Sequence, residues 1–217
     1  MNPLFIYFIG ISFLASLTVY FFSKPAALYL RLFPPFLLIS LVVELSGMYY
    51  SRSGRANTLQ YNFFSVFEFC FYLFVLSQVI SNAKAKKAVW ITMGLYALTA
   101  TINILFIQGK FVFHTITYAL GCLLIVIFCI YYFWELFRLP KSVKLQKNPA
   151  FWICSGLLFY FCCGFPLFGL INYLVTVSTL LRNNFFTIVT ILNIFLYSLF
   201  TIGFLCRIRI RKYTSLQ

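Results

Sequence analysis

The sequence predicts an all-α fold, a polytopic bundle of seven transmembrane helices forming a single domain over residues 1–217. Three observations carry that expectation. Apolar residues make up 63% of the chain, aromatic residues 22% and charged residues only 9%, a balance foreign to soluble globular domains. The apolar residues gather into seven continuous runs, each long enough for a helix to cross a hydrocarbon core of about 30 Å. The basic residues fall between those runs and divide unevenly between the two sides.

The first run, 3–22, ends at Lys24; with no basic residue before it and no small-residue cleavage site after it, it is expected to stay as a span rather than leave as a signal peptide. The second, 32–50, lies between Arg31 and Arg52, and the third, 62–80, between Arg55 and Lys84. The fourth, 88–106, and the fifth, 112–134, meet at Lys110. The sixth, 150–170, follows Lys147, and the seventh, 184–206, runs from Arg182 to Arg207. Strands are excluded because the runs do not alternate, and a lone span satisfies its own backbone only as a helix.

An odd number of spans puts the termini on opposite sides. Lys24, Arg31, Lys84, Lys86, Lys87, Arg138, Lys141, Lys144, Lys147, Arg207, Arg209, Arg211 and Lys212 fall on one side, and Arg52, Arg55, Lys110 and Arg182 on the other. The richer side is expected to be cytoplasmic, with the N-terminus out and the C-terminus in. Scattered through short loops, these cations form no nucleic-acid surface, so the net charge of +14 speaks for topology and for contact with anionic lipid. The bilayer is therefore the first expected partner. The chain has no glycosylation sequon and no sorting motif, which points to a cell membrane, and to a bacterial inner membrane in particular.

The seven cysteines lie in spans or at a span end and read as apolar filler. With one histidine and no spaced cysteine pairs, no metal site and no cofactor is expected. PPFLLISLVV (34–43) lies over PAFWICSGLL (149–158), and NFFSV (62–66) over NFFTI (184–188), as a three-one-three pseudo-repeat would require. Shared membrane composition accounts for the same matches.

Only three residues are acidic, and two of them stand inside spans. Glu44 lies six residues before the outer end of its run, and Glu68 seven residues after Tyr61, which puts both about 9–10 Å deep. The third, Glu135, is close enough in sequence to Arg138 for a surface ion pair. Each intramembrane acid belongs to a polar stripe at helical spacing: Ser40, Glu44, Gly47 and Ser51, and Tyr61, Ser65, Glu68 and Tyr72. At the same level stand Thr99 and Asn103; His114, Thr117, Tyr118 and Gly121; and Asn183, Thr187, Thr190, Asn193 and Tyr197.

A carboxylate facing lipid costs about 2.5–3.5 kcal/mol even on the lenient insertion scale, so both acids are expected to face the bundle interior. The expected ligand-binding set is Glu44, Glu68, Tyr61, Ser65, Tyr72, Asn103, His114, Thr117, Tyr118 and Thr187. A quieter reading stands beside it: intramembrane acids glue helices, and tyrosines form interfacial belts.

The inner half carries fewer polar side chains, which favours a receptor-like module. Such a module binds a small polar or cationic ligand from outside and signals through a partner protein. A small-solute or proton-coupled transporter is the alternative, and an intramembrane enzyme acting on lipid the third. No nucleophile elbow, phosphate loop or metal-binding histidine set supports the last, and no catalytic residue is assigned.

Overall fold

A computed structural model describes residues 4–21, 26–138, 145–169 and 179–214, of which 179–183 and 207–214 are described as backbone alone. Lys24, Lys141 and Lys144, and the span limits at residues 3, 22 and 170, lie outside the described residues. The helices are α1 (Leu4–Phe21), α2 (Leu28–Arg52), α3 (Thr58–Val79), α4 (Ala83–Ile102), α5 (Thr115–Phe137), α6 (Pro149–Gly169) and α7 (Thr179–Thr214). No strand occurs among the described residues. All seven are long and apolar enough to cross a membrane, the stretch in α7 being Asn184–Cys206.

Short connections make successive helices antiparallel. α1, α2, α3, α5, α6 and α7 pack in that cyclic order, α7 closing back on α1. α4 stands outside this ring, against α3 and α5. Lipid tails are as apolar as the side chains between helices, so the hydrophobic effect does little to hold such a ring. Close packing and hydrogen bonds must do it instead.

At α2 the helix starts four residues before the expected run and takes Pro34 and Pro35 into its second turn. Pro35 has no N–H for the Arg31 carbonyl. The Tyr20 hydroxyl of α1 donates to that carbonyl at 2.6 Å and so supplies the missing donor. At the far end of α5, Glu135 accepts from the backbone N–H groups of Ser81 (2.8 Å) and Asn82 (2.9 Å), just before α4. The expected pairing with Arg138 gives way to this, because two orphan amides at a helix start hold a carboxylate better than one solvated cation does. Arg138 instead lies 3.6 Å over the Trp134 ring.

The centre of the ring is aromatic. Phe33 meets Phe71 (5.1 Å between centroids), Phe200 (5.3 Å) and Phe204 (5.4 Å) edge-on, and Phe36 stacks on Phe71 at 3.9 Å. Tyr72 joins this group through Phe36, Phe161 and Phe200. Such pairs contribute about 0.5–1.5 kcal/mol each beyond their area, which makes the cluster a main source of ring cohesion. It fills the middle of the bundle from wall to wall.

Candidate functional site

Above that aromatic floor, toward the end where α2 turns into α3, the ring encloses a cavity of about 260 Å³. Its position follows from how α2 and α3 join. Asn57 donates to the Gly47 carbonyl (3.1 Å), Gln60 to the Val43 carbonyl (2.9 Å), and the Tyr61 hydroxyl to Glu44 Oε2 (3.0 Å). Three side chains, from the N-cap and the first turn of α3, thus hold the last turns of α2. Gly47 permits the approach, since a Cβ there would fall on the Tyr61 hydroxyl.

Glu44 and Glu68 both line this cavity. The Tyr72 hydroxyl donates to Glu68 Oε1 at 3.1 Å from one turn along the same helix. Each acid therefore leans on a tyrosine through one oxygen while its side chain lines the cavity. Of the remaining expected site residues, Tyr61, Ser65 and Tyr118 line the wall. Tyr72 is fully buried beneath it, as part of the floor.

Asn103, His114 and Thr117 stand elsewhere, in a buried network behind Ser65. Past α4 the chain continues as a wider π-helical turn, Asn103–Ile107, in which Gln108 N–H reaches back to the Asn103 carbonyl at 2.9 Å. Asn103 Nδ2 donates to Gln108 Oε1 (2.7 Å) and to Thr117 Oγ1 (3.0 Å). His114 meets Thr117 Oγ1 through Nδ1 (2.8 Å) and Ser65 Oγ through Nε2 (2.5 Å). Asn62 of α3 completes the set, donating to the Val112 carbonyl (2.8 Å) and accepting from His114 N–H (3.3 Å).

The His114 ring is wholly buried and lies just before the spanning helix α5. Burial pushes its pKa down to about 4, so the ring is neutral. A neutral imidazole offers one donor and one acceptor, which two hydroxyl partners satisfy together. The network ties the α4–α5 connection to α3. It touches the cavity only through Ser65.

Thr187 is exposed on the outer face of α7 and takes no part in the wall. It lies about 120° round the helix from Asn193, at 100° per residue. Phe186, Thr190, Asn193 and Tyr197 share the inward face and line the cavity instead. Tyr160 of α6 also lines it, as does Tyr118 of α5. A signal for Tyr160 was present, since it is the sole hydroxyl between 156 and 169. Asn57 and Thr58, at the rim, belong to the turn before the apolar run.

Seven helices apolar enough to cross a membrane, around an acid-lined cavity, are the architecture of a multi-pass membrane protein. No protein-family model, no characterised protein and no solved structure matches the chain.

Proposed function

We propose that the chain is a receptor-like membrane module that binds a small polar or cationic ligand in the outward half of the bundle and signals through a partner protein. The observation that carries this reading is the cavity's closed floor. Glu44 and Glu68 stand in its wall, while Tyr72, Phe36, Phe161 and Phe200, each at most 2% exposed, fill the ring below it. A ligand that enters has a place to stop and, among the described residues, an aromatic layer beneath it. That favours sensing over the alternative, transport of a small solute.

Orientation belongs to the same proposal. The cavity opens at the end that carries four of the 17 basic residues, which the positive-inside rule assigns to the exterior, with the N-terminus out and the C-terminus in. The place of α4 outside the ring favours a three-one-three arrangement. Intramembrane lipid chemistry is favoured less, because His114 faces Ser65 and Thr117 rather than the cavity and is spent on holding a loop.

The test is crosslinking in native membranes, with a photoreactive side chain at Lys86 on the proposed cytoplasmic end. Capture of one partner, in a yield that changes when Thr190→Trp fills the cavity, is the expected result. A chain that stays alone in both forms removes the sensory reading. Uptake of a solute into proteoliposomes, lost in E68Q, would put transport in its place.

A further inference from the structure

The chemistry of the cavity wall narrows the ligand further than the binding reading on which this inference rests. Two carboxylates line the cavity, and among the described residues lining it none is Lys, Arg or His. Tyr61 occupies Glu44 Oε2 and Tyr72 occupies Glu68 Oε1. Glu44 Oε1 and Glu68 Oε2 have no hydrogen-bond donor among the described residues.

A second observation is independent of the acids. Tyr197 is only 4% exposed, lines the same cavity, and its hydroxyl has no hydrogen-bond partner among the described residues. The hydroxyl is not among the side-chain atoms sealed in protein without a partner; it borders the same space as the two acids, and polar atoms left open around a common space mark where a polar group belongs. The rest of the wall is aromatic, with Phe64, Tyr160, Phe168 and Phe185 among its faces.

These features select among cations. A hard metal ion asks for six or more oxygens in a shell, and among the described residues no group of three or more acidic, histidine or cysteine side chains could hold a metal. An aromatic wall instead suits an organic cation, through ring faces that attract positive charge and through contact with a hydrocarbon body. A quaternary ammonium has charge but no N–H to give the open carboxylate oxygens. A volume of about 260 Å³ falls just below the ~300–1,000 Å³ usual for drug-sized ligands, so the occupant is small.

We propose that the cavity binds a small primary or secondary organic ammonium ion. Its N–H groups donate to Glu44 Oε1 and Glu68 Oε2, and its hydrocarbon part lies against the Phe and Tyr wall. The Tyr197 hydroxyl serves a polar substituent or the water that accompanies it.

The experiment is calorimetric titration of the full chain in lipid nanodiscs with three probes of like shape: 2-phenylethylamine, its N,N,N-trimethyl derivative and 2-phenylethanol. The primary amine should bind at least tenfold more tightly than the other two. E44Q and E68Q, both isosteric, should each weaken the amine at least tenfold and leave the alcohol unchanged. Equal affinity for amine and alcohol, or wild-type amine affinity in both variants, overturns the assignment. If amine and alcohol bind alike and V189W abolishes both, the ammonium site falls while a ligand cavity stands. If the amine binds as expected but no partner is crosslinked, the ammonium site stands and the sensory reading falls.

Discussion

The acid-lined cavity and the histidine network meet at Ser65, lie in the same half of the bundle and draw on the same kinds of side chain, Asn, Thr, Ser and Tyr beside a titratable group. They differ in closure. In the network His114 has both ring nitrogens occupied, and Asn62 uses its donor and its acceptor. Only Asn103 Oδ1 is buried there without a partner. In the cavity one oxygen of each acid and the hydroxyl of Tyr197 remain open. In a low-dielectric bundle a closed set of hydrogen bonds fixes structure, and an open set waits for something to complete it. The two should therefore respond in opposite ways to mutation.

The largest difference is expected at His114. Its replacement by alanine leaves the buried Thr117 and Ser65 hydroxyls without the imidazole they share, at a cost of about 3 kcal/mol for two buried polar groups and the space left by the ring. Thermal unfolding in detergent measures it. A loss below about 1 kcal/mol would mean that the network does not hold the α4–α5 connection.

Acid should reach the same network next. The folded pKa of His114, about 4, lies below its ordinary value of 6.5, so between those values the unfolded chain binds more protons than the folded one. Stability then rises with pH through that window and falls on acidification, by about 2 kcal/mol from pH 7 to pH 5. His114→Asn, which cannot take up the proton, should flatten this dependence. An unchanged slope in that variant would assign the acid sensitivity to other groups.

Gly47 tests the cavity side through packing. In Gly47→Ala the new Cβ falls on the Tyr61 hydroxyl, so that hydroxyl must leave Glu44. A loss of about 1 kcal/mol in stability is expected, at the low end of overpacking costs, because the displaced ring can swing into the cavity. Amine affinity should fall with it. Unaltered affinity would show that Tyr61 does not position Glu44.

How far these regions were legible in the sequence follows from what each depends on. The seven spans rest on continuous apolar runs, which no partner helix can hide. The shared level of Glu44 and Glu68 follows from counting helical rise inward from two adjacent ends, and both acids do reach one cavity. Which side of α3 the polar residues of α4 and α5 would join is a different kind of fact. It depends on the π turn at Asn103–Ile107 and on a loop that folds back over Asn62, and neither has a period to read. Thr187 was placed by depth alone, and depth says nothing of rotation about α7. Tyr160 was obscured by the Phe-rich run around it. The early start of α2 brings two prolines into the helix, and the partner of the carbonyl that Pro35 leaves open, Tyr20, comes from another helix.

The smallest effect on stability is expected where the sequence drew attention first. Gln in place of Glu44 keeps an acceptor for the Tyr61 hydroxyl, and Gln in place of Glu68 keeps one for Tyr72, so neither variant orphans a tyrosine. Each also removes a carboxylate from a site where an unpaired charge is costly to hold. The two effects on folding are small or favourable, and stability should change by less than about 1 kcal/mol while amine binding is lost. Thermal unfolding of E44Q and E68Q beside His114→Ala decides it. If the glutamine variants lose as much as the histidine variant, the acids are helix glue like the network behind them, and the contrast between an open and a closed polar region disappears.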